Sequence, residues 1–305
     1  MKRDGIYLSV VICTYNRADR LGILFDALRK LRIEENFGAE FIFIDNNSSD
    51  NTRAEIEIFA KSVGFPVDYI FEKKRGSSAA RNAGINSASG SVVVVLDDDC
   101  LPDSEWLANI ATYFSQQDVD VAGGKVLLYN PLDLPMSIRT SDSEIPLQSL
   151  DQLFGTIPGC NMAFRKKVLE HIGLFDEDLG AGLPLAGEDV DLIYRALRNG
   201  YRLRYTPTFC VYHNHGRRTQ RDASLLNRSY VRGRGGVYAK YTLAKDWNMA
   251  RMAYWEMSRL FRHAANKMIR GKLPAPDLMD MLYLAQGFAA VAWRVVWSGK
   301  HSVDR

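Results

Sequence analysis

The 305-residue sequence predicts an α/β fold, an open and mostly parallel β-sheet with helices on both faces. Short apolar, β-branched runs alternate along residues 1–125 with segments whose apolar residues recur at helical spacing. The runs are continuously apolar, which is typical of strands buried on both faces of a parallel sheet. With 47% hydrophobic and 25% charged side chains, the chain can bury a sizeable core.

The first two strands and the helix between them are the clearest elements. The run Tyr7–Cys13 predicts a strand, and Leu and Phe residues at helical spacing predict a helix between Leu21 and Leu31. Glu40–Ile44 predicts a second strand. The alternation continues as helix, strand, helix and strand: Thr52–Val63, Val67–Phe71, Ser77–Ala88 and Ser91–Leu96. Strands joined through helices in this way pair in parallel, with right-handed crossovers.

The second half of the sequence predicts fewer elements. We expect a strand near Val119–Tyr129, another extended stretch at Gly159–Phe164, and a helix over Glu188–Arg198. Gly200 is placed to end that helix. A polar, Pro-containing loop over Asn130–Leu147 is predicted to be a flexible element above the site.

Polar residues stand directly after three of the predicted strands. Thr14–Arg17 follow the first strand, Asp45 follows the second, and Asp97–Asp99 follow the fourth. Ligands of open α/β sheets bind beyond the carboxyl ends of the strands. We therefore expect these three groups to meet at one rim and to form a binding site.

The cluster Asp97–Asp99 is a candidate metal site. Three consecutive carboxylates repel one another, and a divalent cation would offset that repulsion. Oxygen ligands suit Mg²⁺ or Mn²⁺, and Mg²⁺ is commonly held by one or two carboxylates together with a substrate phosphate. The alternative is a solvated acidic turn that caps a helix beginning near Asp103.

Two further groups have both a structural and a functional interpretation. Acidic residues at Glu188, Asp189 and Asp191 complement a helix macrodipole, but one of them could also be a general base. His213 and His215 follow an apolar run and could be ordinary hydrogen-bonded groups. At spacing i and i+2 they could also lie on one side of a strand as metal ligands, which would favour Mn²⁺.

Six motifs occur in the order seen in family 2 glycosyltransferases, which this sequence resembles over residues 7–216. They are Ser9–Arg17, Ile44–Thr52, Ala80–Gly84, Asp97–Asp99, Gly173–Asp176 and Glu188–Leu192. The resemblance implies the GT-A fold, a nucleotide-sugar donor with UDP favoured, a divalent cation, Mn²⁺ or Mg²⁺, and inversion at the anomeric carbon. It divides the domain into a nucleotide-sugar half, about 1–125, and an acceptor half, about 126–216.

The resemblance also implies a donor site. Thr14, Tyr15 and Arg17 resemble the family's loop against the nucleotide. The implied donor site also includes Asp45, Arg81, Asp97 and Asp98. Asp45 matches the acid that accepts a hydrogen bond from the base, and Arg81 matches a basic residue near the base and phosphates. The two acids of the cluster correspond to residues near the ribose and the donor sugar.

The metal and the acceptor chemistry are implied in the same way. Asp99 matches the metal-binding acid, and His213 resembles the histidine that completes the coordination, with His215 as a competitor. Asp189 matches the catalytic base, and Glu188 beside it orients the acceptor or the donor sugar. The predicted reaction is transfer of one sugar to a saccharide or lipid-linked saccharide, in cell-surface polysaccharide biosynthesis.

Some alternatives stay open. The Gln-x-x-Arg-Trp motif and the membrane spans of processive relatives are absent, which favours addition of a single sugar. Polyprenyl-phosphate sugar synthases carry Asp-Leu-Gln after the acidic cluster, whereas this chain has Cys100–Pro102. A non-catalytic nucleotide-sugar-binding protein would keep the donor pocket. A nucleotidyltransferase is disfavoured, because it would need a Gly-rich phosphate loop where Thr14–Arg17 stand.

The tail, residues 217–305, differs from the rest in charge. Residues 1–216 carry 22 Lys and Arg against 30 Asp and Glu, whereas the tail carries 17 against 6. The tail also contains interleaved Trp and Tyr, which is typical of helices that lie in a membrane interface. We expect either helices packed on the catalytic domain or docking at the inner leaflet, and no nucleic acid, since no recognised motif accompanies the charge.

Two observations concern the compartment. The start of the chain lacks the apolar stretch of a secretory signal, so a cytoplasmic location is expected, with peripheral binding to the cytoplasmic membrane face as an option. The four cysteines form no CxxC pair and are interpreted as reduced thiols rather than a zinc site.

Overall fold

The computed structural model describes residues 6–34 and 36–298, and one mixed sheet organises most of them. The strands are β1 (Tyr7–Thr14), β2 (Gly38–Asp45), β3 (Val67–Phe71), β4 (Val92–Asp97), β5 (Cys100–Pro102), β6 (Val121–Leu128), β7 (Ile145–Leu147), β8 (Asn161–Arg165) and β9 (Leu203–His213). The helices are α1 (Leu21–Leu28), α2 (Thr52–Ser62), α3 (Ser77–Ser87), α4 (Trp106–Gln116), α5 (Lys166–Ile172), α6 (Glu188–Arg198), α7 (Gln220–Leu243), α8 (Trp247–Ile269) and α9 (Ala275–Ser298). The strand order is β3-β2-β1-β4-β8-β6-β9-β5, with β7 paired to β9.

The first four strands are parallel, as predicted. Strand β1 pairs with β2 and β4, and β2 pairs with β3. Alternate residues of β1 enter different clusters, Val11 on one face and Val10 and Ile12 on the other. Each face is therefore covered by its own apolar layer, which explains why β1 and β4 are almost continuously apolar in sequence.

The register brings the predicted rim together. Thr14 lies opposite Asp45, and Cys13 lies opposite Asp97, at the carboxyl ends of β1, β2 and β4. Helix α3 begins near the same edge, after Gly76, whose positive φ of 122° favours glycine. The polar residues that follow the strands thus share one edge of the sheet.

The second half of the sheet has two short strands that the sequence did not predict: β5, and β7 at the end of the predicted loop. Strand β5 begins at Cys100, so Asp98 and Asp99 form a tight turn between β4 and β5. Strand β5 is antiparallel to β9, with Cys100 opposite His213. Helix α4 begins only at Trp106, three residues after Asp103. The acidic cluster is therefore a strand-to-strand turn and not a helix cap.

Helices α7, α8 and α9 follow the sheet. Helices α7 and α9 cross closely, because Gly235 lies against the backbone of Leu284 and Gly287 lies against the backbone of Arg232. Val237 of α7 belongs to the same buried cluster as residues of α6 and the sheet. The described part of the predicted tail therefore packs on α6 and the sheet, and residues 299–305 lie outside the described residues.

None of the helices in the described ranges combines the length and the hydropathy needed to cross a bilayer.

Candidate functional site

The rim of the sheet gathers the predicted nucleotide loop. Tyr15 is 42% exposed, and the guanidinium of Arg75 lies 5.0 Å from its ring centroid. An Arg75 Nη2 donates to the Tyr15 hydroxyl at 2.7 Å. The loop is held in place by Asn16, which has a φ of 51° and exchanges hydrogen bonds with Ser48 and Ser49. The result is a braced aromatic side chain at the edge of the site.

Asp45 is buried beneath this loop. One of its carboxylate oxygens accepts from the Ser48 backbone N–H at 2.9 Å and the other from the Tyr69 hydroxyl at 2.8 Å. Each carboxylate oxygen has two lone pairs, so both keep room for one further donor. The position is compatible with the predicted hydrogen bond from a nucleobase.

Arg81 joins the two acidic motifs. Its side chain is buried, and its two Nη atoms contact Asp97 at 2.9 Å and Glu188 at 2.8 Å. The Ser77 hydroxyl donates to the same Glu188 oxygen at 3.1 Å. Asp97 ends β4 and Glu188 begins α6, so one guanidinium ties the predicted donor side of the rim to the helix that carries the predicted base.

The acidic turn has a surplus of buried carboxylates. Burial raises the pKa of Asp98 to about 7, against the opposing charge of Arg17, whose Nε lies 3.6 Å away. Burial also raises the pKa of Asp97, and Arg81 opposes the shift. The cationic partners of these two acids therefore do not fully offset their desolvation, and a bound cation would fit here.

Asp99 faces His213 at the open side of the turn. Burial disfavours the charged form of both, yet the pKa of Asp99 is lowered and that of His213 is raised to about 9, because each stabilises the other. Asp99 Oδ1 and His213 Nε2 lie 3.3 Å apart, and His213 Nδ1 contacts the Ser137 carbonyl oxygen at 3.2 Å. An oxygen and a nitrogen ligand thus converge on one point, and this donor set fits Mn²⁺ or Mg²⁺.

His215 has a different environment. Its ring centroid lies 5.0 Å from that of His213, and its Nδ1 accepts from the Arg217 backbone N–H at 3.0 Å. Burial and the charge of His213 lower its pKa. The strand ends at His213, so β9 places only that histidine in register with Cys100, beside Asp99.

Asp189 stands at the first turn of α6. Burial and the neighbouring charge of Glu188 raise its pKa to about 6. Gly159 lies directly against it, since a Cβ atom at that position would lie 2.5 Å from Asp189 Oδ2. A half-buried carboxylate with a raised pKa, beside the groups that Arg81 connects, is suited to accept a proton.

Asp191 has no such exposure. It is fully buried and contacts Lys240 at 2.6 Å, the Tyr241 hydroxyl at 2.8 Å and Arg195 at 2.9 Å. Lys240 also contacts Asp176 at 2.7 Å. Of the three acids at the start of α6, Asp191 thus faces α7 and fixes the helix rather than the site.

The loop predicted to cover the site is attached at several points. Asp133 is buried and accepts from the Gly216 backbone N–H and the Arg218 Nε, both at 2.9 Å. The Ser137 hydroxyl lies 2.8 Å from the hydroxyl of Tyr230 in α7. The loop therefore borders the site next to His213, and its flexibility stays a prediction.

Four residues of the site were missed in the sequence analysis: Ser77, Arg75, Gly159 and Arg217. The charge of Arg217 helps to lower the pKa of Asp99, and among the described residues none accepts a hydrogen bond from its buried Nη1. Arg217 directly follows the His-Asn-His-Gly motif, and this position is the sequence feature that could have identified it as a site residue.

Two family profiles match the chain. The profile described as "Glycosyl transferase family 2" matches residues 9–173, more than half of the chain, and "Glycosyl transferase family group 2" matches residues 92–298. The chain belongs to glycosyl transferase family 2. This finding confirms the family that the six motifs predicted.

Curated relatives of this family 2 chain include glycosyltransferase AglE of Haloferax volcanii, which is 29% identical over 65% of this chain and 64% of its own length. The pre-mycofactocin glycosyltransferase of Mycobacterium tuberculosis is 26% identical over 74% of this chain and 46% of its own length. The succinoglycan biosynthesis protein ExoM of Rhizobium meliloti is 23% identical over 82% of each chain. The chain therefore spans less than two thirds of the length of the first two.

Solved structures share the fold. The mannosyltransferase PcManGT of Pyrobaculum calidifontis, in complex with GDP-Man and Mn²⁺, matches with a TM-score of 0.62 at 19% identity, over 96% of this chain and 88% of that one. TarS of S. aureus, residues 1–349 in complex with UDP-GlcNAc, matches with a TM-score of 0.59 at 20% identity, over 76% of this chain and 66% of that one. At these identities the similarity shows the fold alone, and it confirms the predicted GT-A fold.

Proposed function

We propose that the chain transfers one sugar from a nucleotide-sugar donor, preferably a UDP-sugar, to a saccharide or lipid-linked saccharide acceptor, with inversion and with a divalent cation. The observation that carries the proposal is Arg81, which contacts Asp97 on the donor side and Glu188 beside Asp189 on the other. One buried guanidinium thus couples a nucleotide-binding rim to a carboxylate with a raised pKa.

The donor would bind along the rim. Tyr15, braced by Arg75, would lie against the nucleotide, and Asp45 would accept a hydrogen bond from the base. Asp99 and His213 would hold the cation, which when bound supplies positive charge for the leaving diphosphate. Arg217, whose charge already acts on Asp99, would add positive charge near the phosphates.

The acceptor would bind between Asp189 and the donor sugar. Asp189 would take the proton from the incoming hydroxyl while Glu188, held by Arg81 and Ser77, orients the sugar. A base on the side opposite the leaving group gives inversion. The names of relatives support a saccharide acceptor, since ExoM is named for succinoglycan biosynthesis and another relative is a poly-beta-1,6-N-acetyl-D-glucosamine synthase.

A thermal-shift screen of nucleotide sugars tests donor binding. We expect one nucleotide class to raise the unfolding temperature, and the rise to grow with Mn²⁺, because a ligand specific to the folded state stabilises it. Asp99→Asn should remove the Mn²⁺-dependent part, whereas Asp26→Asn, at an exposed position of α1, should keep it. No stabilisation by any nucleotide would contradict the proposal.

We also propose that one face of α8 docks on an anionic lipid surface at the cytoplasmic side. Its buried face consists of Met249, Met252, Leu260 and Ala264. Six large apolar side chains are exposed along the helix: Trp247, Tyr254, Trp255, Phe261, Met268 and Ile269. Helical spacing places Arg251 and Arg262 among them, also exposed. Exposed aromatic residues with interleaved arginines match the chemistry of an anionic membrane interface.

Vesicle sedimentation tests this surface. We expect the chain to pellet with anionic vesicles, less so at high salt, and the double variant Phe261→Ser/Ile269→Ser to stay in solution. The matched control Ile58→Ser/Leu132→Ser alters two apolar residues that are equally exposed elsewhere. Absence of pelleting at both salt concentrations, or a dimer in solution that the same variant abolishes, would contradict lipid docking.

A further inference from the structure

Two of the four cysteines lie beside the cation-binding pair. Cys100 Sγ, Cys160 Sγ and a ring nitrogen of His213 all lie within 4.8 Å of one another, and all three residues are buried. Strand β5 brings Cys100 opposite His213, and Cys160 directly precedes β8. No zinc motif is visible in the sequence because these residues are 60 and 53 positions apart, and only the sheet assembles them.

Asp99 adjoins two of these three residues. Asp99 Oδ1 lies 3.9 Å from Cys100 Sγ and 3.3 Å from His213 Nε2. Two sulfurs and one imidazole nitrogen form a three-ligand group of the kind that binds Zn²⁺, and the Asp99 carboxylate is near enough to Cys100 and His213 to complete a tetrahedral site when an ion binds. Thiolate ligands select Zn²⁺ over Mn²⁺ and Mg²⁺, which prefer oxygen.

We propose that Cys100, Cys160, His213 and Asp99 form a binding site for a thiophilic divalent ion, Zn²⁺ in the first place. Asp99 and His213 are the residues that would hold the catalytic cation, so the two ions compete. Zn²⁺ bound through the thiolates would withdraw both ligands from the donor site and inhibit transfer. The inhibition rests on the proposed function, whereas the binding of Zn²⁺ does not.

The structure also offers matched controls. Cys13 and Cys210 are half-buried, and neither belongs to the cluster. Cys210 lies on β9 only three residues before His213, so Cys210→Ala removes a thiol from the same strand without removing a ligand. Cys13→Ala removes a thiol from β1, again without removing a ligand. Cys100→Ala and Cys160→Ala each remove one ligand.

Binding is measured first, without any activity assay. The full chain is equilibrated with Zn²⁺, dialysed, and the bound metal counted; Cd²⁺ titration then reports thiolate ligation through its ultraviolet charge-transfer absorption. We expect one ion per wild-type chain and a thiolate signal that is kept in Cys13→Ala and Cys210→Ala and lost in Cys100→Ala and Cys160→Ala. A metal-free variant counts as folded if its thermal unfolding matches that of the wild type. One folded variant of the two, Cys100→Ala or Cys160→Ala, is enough for the comparison.

Inhibition is measured next. Loss of even an outer partner of a metal ligand costs roughly 10–100-fold in affinity, so Cys160→Ala should raise the half-inhibiting Zn²⁺ concentration at least about tenfold. Zn²⁺ binding of equal strength in wild type and in a folded cluster variant, or absence of the thiolate signal, would overturn the proposal. If the chain transfers no sugar, the proposed function is wrong. The Zn²⁺-binding measurements still test the metal site independently.

Discussion

At the scale of single residues, the site depends on close approaches between side chains from distant parts of the sequence. Gly159 is an example, because its missing side chain leaves the space that the Asp189 carboxylate occupies. Arg81 is another, because its two contacts join residues that are 91 positions apart in sequence.

We expect Gly159→Ala to lower kcat strongly while leaving donor binding intact. The added Cβ would meet Asp189 Oδ2 at 2.5 Å, so the carboxylate must move from its position. A shift of about 1 Å in a catalytic group can cost roughly 100-fold in rate. Steady-state kinetics and donor titration measure both effects, and Gly64→Ala, where a Cβ meets nothing within 4 Å, is the control. Wild-type kcat in Gly159→Ala would show that Asp189 need not hold this position.

The raised pKa of Asp189 predicts the pH dependence of transfer. Because a base must be deprotonated, kcat/KM at saturating cation should rise with pH through about 6 and then level off. Below that pH the carboxyl is protonated and the rate should fall about tenfold per pH unit. A rate that does not change between about pH 5 and about pH 8 would argue against a carboxylate base of this pKa.

At the scale of secondary-structure elements, α6 and α7 are fastened together by buried charge. Asp191 of α6 is fully buried against Lys240 and Tyr241 of α7. Burial alone would raise the pKa of Asp191, but Lys240 and Arg195 outweigh it and the pKa is lowered. Helix α7 therefore helps to position the turn that carries Glu188 and Asp189.

Lys240→Met should destabilise the fold by about 3 kcal/mol, because it leaves part of the charge of a buried carboxylate without its partner. Denaturant unfolding measures the loss. Lys61→Met, an exposed position on α2, is the matched control and should change stability by less than about 0.5 kcal/mol. Equal unfolding midpoints for the two variants would mean that the Lys240 contact adds nothing to stability.

At the scale of the whole molecule, the parallel half of the sheet was predictable from sequence. Strands β1, β2 and β4 are largely apolar runs, and their carboxyl ends are marked by polar residues at Thr14, Asp45 and Asp97. Local periodicity and the rule for ligand position in α/β sheets are sufficient there. The motifs added the expectation that these residues serve one site.

The rest of the site depends on pairings that no local pattern reveals. Strand β5 has three residues, and its pairing with β9 decides that His213 faces Asp99 and that Cys100 meets Cys160. The contact of Lys240 with Asp191 likewise joins residues 49 positions apart. Such long-range contacts follow from the packing of the whole chain and not from the propensities of the segments.

We assign Asp189 as the base of a two-sided transferase site, and the Asp189→Asn variant is the sharpest test of this claim. With a nucleotide sugar and Mn²⁺ present, we expect this isosteric variant to bind the donor as the wild type does and to lose transfer by a factor of at least about 100. Transfer at the wild-type rate, with donor binding unchanged, would contradict the claim.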